Sequence, residues 1–409
     1  MSTRPGADRL RVLYLCYLSL DDPLVETQVV AYLERLAERG HTIHLLTWEV
    51  RRQSRTERQR IRERLRGRGI HWHRLRYHKR LSLLATAFDS LSGIVVAFEL
   101  IRRHRLVAVH ARSHIPAFMG LALRRLTGAR LIFDIRGLLA QEYVDAGNWR
   151  AGSTPVRLVE WVQRRAIERA AATVTLTERV ARNLFGPPPW PSHWIIPCCA
   201  NVEELQAQSS RRDELRARLG LADQPVLVYV GKFGGWYLQR EMVDLFAVAR
   251  ERMPDLHFLV LTQSDKSLVE SEFARAGVEE QARTIARVDS QDVGAYLGAA
   301  DFAISFIRPA PSKISSSPTK VGEYLAVGLP VLCAAGVGDL DDFFTRTGTG
   351  VLLEALDRDS YLAASDGLLA LAGDPDTPRR CKQAARDELS LDSIGTPRYD
   401  ALYSLVANS

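Results

Sequence analysis

The chain has 409 residues, 46% of them hydrophobic and 25% charged, with a formal net charge of +7. Such a length exceeds one ordinary core and predicts two domains of about 200 residues each, while the composition excludes disorder as the general state. Five cysteines, of which only Cys198 and Cys199 are close together, give neither a disulfide framework nor a zinc-ligand spacing, so packing is their expected role. Met1 to Arg9 is polar and the apolar run Val12 to Leu20 is too short and wrongly flanked for a signal peptide, which makes the cytoplasm the expected compartment.

In chain order, Leu10 to Leu18 reads as a buried strand, with turn chemistry after it at Asp21, Asp22 and Pro23. Val29 to Arg39 is an amphipathic helix stopped by Gly40, and Thr42 to Thr47 is the next strand, which completes a βαβ unit. From Arg51 to Arg80 thirteen Lys or Arg stand against two Glu, with His71, His73 and His78 among them, a density that attracts polyanions. Leu81 to Ile101 follows, apolar but interrupted by Asp89, Gly93 and Glu99, and reads as too polar to span a bilayer. A basic segment beside an amphipathic helix suits a protein lying on an anionic membrane surface through 51–101, peripheral on the inner face of the cell membrane. A half-buried domain helix with a solvated basic loop fits the same residues. Nucleic acid is not expected as a partner, because Trp72 and Tyr77 are the few aromatic residues of the basic stretch.

Further strands are predicted at Leu106 to His110, Arg130 to Asp134, Thr173 to Thr175 and His193 to Ile196. A charged connector runs from Asn201 to Pro225, and Val226 to Val230 then opens a second series. Its strands recur at His257 to Thr262, Thr284 to Val288, Phe302 to Ser305 and Pro330 to Cys333, with helical stretches near Glu241 to Arg252, Lys266 to Ala276 and Gln291 to Gly298. The expected architecture is α/β: two Rossmann-like, doubly wound parallel-sheet domains, 1–201 and 202–388, facing a central cleft, with 389–409 a C-terminal helix packing back on the first domain.

The stretch Ser315 to Leu332 carries the most chemistry. Ser317 suits an N-cap, Pro318 the first helical position, and Gly328 with Pro330 the stop. Unpartnered amides and the macrodipole at that helix start favour an anion, and Lys320 in the first turn opposes the dipole unless negative charge sits in front of it. Glu323 stands one turn on, where an i, i+3 ion pair with Lys320 on a solvated helix is the plain alternative. After Val230 comes Gly231-Lys-Phe-Gly-Gly-Trp-Tyr237, a strand-to-helix turn whose Gly234 and Gly235 let backbone approach a ligand and whose Lys232 adds mobile charge. Two cradles, each with a lysine, suit a diphosphate. Asp339-Leu-Asp341 has the form of a metal-binding pair, but Asp341-Asp342 also suits a helix N-cap, and the cap reading is preferred; no metal or other cofactor is expected.

These motifs in this order resemble the retaining nucleotide-sugar glycosyltransferases of the two-domain GT-B type, in the broad family-four group. The resemblance covers nearly the whole chain and rests on Pro23 to Gln28, His110-Ala-Arg-Ser113, Asp134-Ile-Arg-Gly137, Thr175-Leu-Thr-Glu178, Ile196 to Asn201, Val230 to Tyr237, Ser316 to Val331 and Gly336-Val-Gly-Asp339. It implies a sugar nucleotide held mainly by the second domain and a saccharide or lipid-linked acceptor held mainly by the first, as in surface polysaccharide or glycoconjugate synthesis.

On this footing the donor is expected at Gly231, Gly234, Gly235, Tyr237, Lys313, Ser315, Ser316, Ser317, Pro318 and Thr319. Lys232, Lys320, Glu323, Arg112 and Arg136 are expected to serve catalysis, and Glu26, Thr27, Gln28 and Asp134 the acceptor side. Arg112, Asp134 and Arg136 lie at strand ends, where Arg and Asp equally suit a structural ion pair. Family members commonly carry two glutamates with seven residues between them; Glu323 matches the second, whereas Ser315 stands at the first. Lys232 replaces a frequent arginine, and the usual glycine pair after the first strand is absent. In the retaining reaction that the resemblance implies, the acceptor hydroxyl attacks from the face the diphosphate leaves, and fixed amides with Lys232 and Lys320 stabilise the departing charge. The alternatives are a nucleotide-sugar binder without transfer, a sugar-nucleotide epimerase, which would need an acid/base pair around the sugar, and a polyanion-binding protein.

Overall fold

The computed structural model describes residues 9–78, 83–221 and 223–408. The polar opening at 1–8 and the junction 79–82 between the basic and apolar segments lie outside the described residues. Two compact units account for the chain: Met1–Pro197 with Gly395–Ser409, and Cys198–Ile394.

The first unit is a seven-stranded parallel sheet of β1 (Arg11–Cys16), β2 (Thr42–Glu49), β3 (Ile70–Arg76), β4 (Ala108–Arg112), β5 (Arg130–Ile135), β6 (Ala172–Thr175) and β7 (His193–Ile195), in the order β3-β2-β1-β4-β5-β6-β7. Val12 pairs with Ile43 on one side and Ala108 on the other, so the strand order reverses at β1 and β4, the place where such sheets bind ligands. Hydrophobic runs such as Leu13 and Leu15 are fully buried because helices cover both faces.

The described part of the basic stretch, Arg51 to His78, is not a solvated loop. It holds the helix Arg55–Gly67 and the edge strand β3. Ser54 and Glu57 close a capping box, the Glu57 N–H donating to Ser54 Oγ at 3.1 Å, and Arg64 and Arg68 pair with Glu26 at 3.3 and 2.6 Å. In the helix Leu83–His104 two of the three interruptions read from the sequence turn inward, and Glu99 stays exposed. Asp89 is fully buried and accepts from Tyr17 Oη at 2.8 Å and the His78 N–H at 3.1 Å, while a Cβ at Gly93 would lie 2.6 Å from the Trp48 ring. By length and composition this helix is long and apolar enough to cross a membrane, contrary to the sequence expectation, yet one face is packed on the sheet. The chain winds outward from β1 to β3 and returns past β1 to β4; right-handed crossovers therefore put Arg55–Gly67 and Leu83–His104 on opposite faces.

Thr396–Asn408 forms a helix of this same unit, burying Tyr399, Leu402, Tyr403 and Val406, and Arg398 donates to the Ile195 carbonyl at 2.7 Å. The second unit is a six-stranded parallel sheet of β8 (Val226–Val230), β9 (His257–Leu261), β10 (Arg283–Ala286), β11 (Phe302–Ser305), β12 (Val331–Ala334) and β13 (Gly350–Leu353), in the order β10-β9-β8-β11-β12-β13. Its core fills both faces, with Val228 and Tyr324 in one layer and Phe246 and Phe258 in the other. The Ala200 N–H donates to the Leu389 carbonyl at 2.8 Å and the Leu391 N–H to the Ala200 carbonyl at 2.9 Å, which ties both ends of this unit together.

Candidate functional site

Order reverses in the second sheet between β8 and β11, and the loops leaving the carboxyl ends of these two strands meet there. The Leu238 N–H donates to the Phe306 carbonyl at 3.1 Å and the Arg308 N–H to the Trp236 carbonyl at 2.8 Å, which fixes the glycine turn against the segment after β11. Gly231 (φ +134°) is required on two counts. Its backbone lies in the left-handed region, and a Cβ there would stand 2.9 Å from Lys320 Nζ. Gly234 and Gly235 also have positive φ, and Tyr229 Oη donates to the Lys232 carbonyl at 2.5 Å, leaving the Lys232 side chain exposed.

Lys320 is the centre of the arrangement. It lies in the first turn of the helix Thr319–Val327, is 7% exposed, and its Nζ has no hydrogen-bond partner among the described residues, Glu323 included. The i, i+3 ion pair open from the sequence is thus not made. Nζ sits 3.8 Å from the centre of the Tyr237 ring and 4.3 Å from that of Tyr229, the aromatic faces partly replacing water. Burial nevertheless lowers its pKa from 10.5 to about 7, against the pull of Glu323. Burial raises the Glu323 carboxyl in turn, opposed by Lys320. A buried, unpaired ammonium facing small-residue backbone is a site set for an anion.

The helix start differs from the sequence reading. Pro318, not Ser317, occupies the N-cap position and supplies no side-chain cap, because Ser317 Oγ accepts the Cys198 N–H at 3.0 Å. Absence of a side-chain cap leaves the first-turn amides of Thr319 and Lys320 available to a ligand. Ahead of them, Pro311–Ser315 is a 3₁₀ turn in which the Ser315 hydroxyl donates to the Ser312 carbonyl at 2.7 Å and the Ser316 N–H to that of Lys313 at 3.1 Å. Lys313 is buried with Nζ 3.9 Å from the centre of the Trp236 ring. Asp341 neither caps a helix nor stands free: its carboxylate accepts the Gly336 N–H at 2.9 and 3.1 Å. Sequence reasoning missed Tyr229 and Trp236; the signal was two aromatic residues flanking a lysine-bearing glycine turn.

In the first unit Asp134 is fully buried: Tyr399 Oη donates to its Oδ2 at 3.0 Å, and His110 Nε2 and Arg136 Nη1 stand at ion-pair distances of 3.5 and 3.7 Å, while Oδ1 has no hydrogen-bond partner among the described residues. Burial alone would raise its pKa, and Arg136, His110 and Arg112 together hold it below the ordinary value. His110 Nδ1 lies 2.9 Å from Tyr403 Oη, and His114 Nε2 2.8 Å from Gln163 Oε1. Arg112 closes β4, buried, with no hydrogen-bond partner for Nε among the described residues. Ser113 follows at φ +73°, a strained conformation at the carboxyl end of the sheet that the sequence did not signal. Glu26 is engaged by Arg64 and Arg68, Thr27 Oγ1 donates to the Pro23 carbonyl at 3.3 Å, and Gln28 is buried.

Two family profiles match end to end: Glycosyl transferase 4-like domain over residues 25–195, and Glycosyl transferases group 1 over residues 211–388. An alpha-D-kanosaminyltransferase of Streptomyces kanamyceticus is 25% identical over 182 residues, 43% of this chain and 47% of that protein. The chain spans about half the length of the curated relatives it matches. A glycosyltransferase structure from Rickettsia africae superposes with a TM-score of 0.73 at 14% identity, covering 98% of this chain and all of the other. The Anabaena HepE structure in complex with UDP and glucose gives 0.70 at 13% identity, with 96% and 99% covered.

Proposed function

We propose, for a chain that belongs to the group 1 glycosyltransferases of GT-B architecture, that it moves a sugar from a nucleoside-diphosphate sugar onto a saccharide or lipid-linked acceptor. The reaction proceeds with retention and serves surface polysaccharide or glycoconjugate synthesis. One observation carries the donor half of this reading: the Lys320 ammonium is buried without a partner beside Gly231 and at an uncapped helix start. As the anomeric bond breaks, charge develops on the diphosphate; Lys320, the first-turn amides and the mobile Lys232 stabilise it without reorganising. No metal is invoked for this step, and a chelator should leave donor binding unchanged. Arg112, Arg136 and the strained Ser113 mark the acceptor side of the first unit.

The test is thermal stabilisation by UDP, GDP, dTDP, ADP and CMP and their sugar conjugates, with and without chelator; a ligand at a hundred times its dissociation constant adds about 2.7 kcal/mol. Glu323→Ala and Lys320→Ala should each weaken binding by about 1 kcal/mol or more. Wild-type affinity in both variants would remove the site. A second reading, a nucleotide-sugar binder without transfer, draws on Ser315, which stands where the family resemblance implies a glutamate and whose hydroxyl is engaged within its own turn. Tight nucleotide binding with no sugar released or transferred would select it.

A further inference from the structure

We propose that one helical layer of the first unit, Leu83–His104 with His114–Thr127 beside it and Thr154–Arg169 beyond, seats this unit on an anionic phospholipid bilayer. Along Leu83–His104 the exposed residues Leu84, Phe88, Leu91, Val95 and Phe98 alternate at spacings of four and three, which is one continuous stripe. At 1.5 Å per residue it runs about 21 Å. Leu84 is 83% exposed, Val95 68% and Leu91 62%, values that a packed domain helix does not show on its apolar side. Two of the three polar interruptions, Asp89 and Gly93, face inward and serve the sheet, which leaves the outer face apolar from Leu84 to Phe98; the third, Glu99, is exposed where the stripe passes into the arginines. Leu126 on the adjoining helix and Trp161 on the helix beyond it are further exposed apolar side chains of this layer, at 58% and 40% exposure.

Charge names the occupant. The stripe continues into exposed Arg102, with Arg103 and Arg105 beside it, and the adjoining helix ends in exposed Arg124 and Arg125. Helices that lead into parallel strands run antiparallel to them, so these carboxyl ends gather at the same edge of the sheet. An apolar stripe with an arginine cluster at one end fits the boundary between acyl chains and anionic headgroups. The basic helix Arg55–Gly67 lies on the opposite face and takes no part. This goes beyond the transferase reading and does not rest on it, since vesicle binding is measured without turnover.

The experiment is sedimentation of the whole chain with vesicles of phosphatidylcholine alone and with about one-third phosphatidylglycerol. Wild type should pellet with the mixed vesicles, far less with phosphatidylcholine, and less as salt rises. Leu91→Asp with Val95→Asp should lower the bound fraction about ten-fold or more, and Arg102→Glu with Arg103→Glu should lower it on anionic vesicles. Both changes are at exposed positions, so melting by circular dichroism and nucleotide-induced stabilisation should stay at wild-type values. Undiminished pelleting of the Leu91/Val95 variant, no pelleting of wild type, or a wild-type dimer in sedimentation equilibrium that the same variant abolishes would each overturn the proposal; the last would assign the face to a second copy.

Discussion

Each unit buries a charged side chain near the switch point of its sheet, and the two are treated in opposite ways. Around Asp134 a tyrosine hydroxyl, an imidazole and a guanidinium converge within 3.7 Å. Lys320 has two aromatic rings and no hydrogen-bond partner. A buried charge that meets a hydroxyl and a counter-charge from its own unit, as Asp134 does even though its Oδ1 lacks a hydrogen bond, belongs to the fold, whereas one with no hydrogen bond at all destabilises the ligand-free state and implies an incoming partner of opposite sign. The contrast separates structural from functional ionisable groups more sharply than burial or position, which the two share.

Removing the satisfied charge should have the largest effect. Asp134→Ala takes the carboxylate from beside Arg136 and Arg112 and leaves the buried Tyr399 hydroxyl without its acceptor, and should cost about 3–5 kcal/mol, read as a fall in the denaturation midpoint. A loss below about 1 kcal/mol would erase the contrast. Lys320→Met should do the reverse to stability, leaving the ligand-free melting temperature equal or higher, while nucleotide affinity drops by about 1.5–3 kcal/mol in calorimetry. The pH dependence sharpens this. Lys320 in the folded chain titrates at about 7 against an ordinary 10.5, so between those values the unfolded chain holds a proton that the folded chain has released. Stability of the ligand-free protein therefore gains from this group as pH rises from 7 to 10.5. Nucleotide affinity, which needs the ammonium, should fall across the same window, and Lys320→Met should flatten both slopes. Gly231→Ala, strained at φ +134° and crowding Nζ, should cost about 1–2 kcal/mol and shift the pH profile of binding. Least affected should be Tyr399→Phe, about 1 kcal/mol in thermal unfolding, since His110 and Arg136 remain around Asp134.

Much of the sheet architecture was legible because buried parallel strands read as apolar runs: Leu10 to Leu18 and Val226 to Val230 locate β1 and β8, the centres of their sheets. Two edge strands were not. β3, Ile-His-Trp-His-Arg-Leu-Arg, is too polar to show a run, and β13 is four residues opening on glycine. Charge also hid the helix Arg55–Gly67, which buries Leu65 alone and takes its start from the Ser54 box. At the donor cradle the lysines and glycines were visible from composition and spacing. Contacts with residues distant in sequence were not: Ser317 looked like a cap until its hydroxyl met the Cys198 N–H, 119 positions away. The Lys320–Glu323 spacing likewise suggests an ion pair, and only the folded positions of Tyr229 and Tyr237 show where the ammonium goes.

Because Tyr399 and Tyr403 belong to the first unit, that unit is made in two instalments on the ribosome, with the 197 residues of Cys198–Ile394 translated between them. At about 5–20 residues per second the wait is roughly 10–40 s. Throughout it Asp134 and His110 lack the hydroxyls that reach them at 3.0 and 2.9 Å in the finished molecule. The second unit, contiguous in sequence, can close during that interval. A nascent chain should therefore present a protease-resistant second unit before a resistant first one, an order opposite to that in which most of their residues are synthesised.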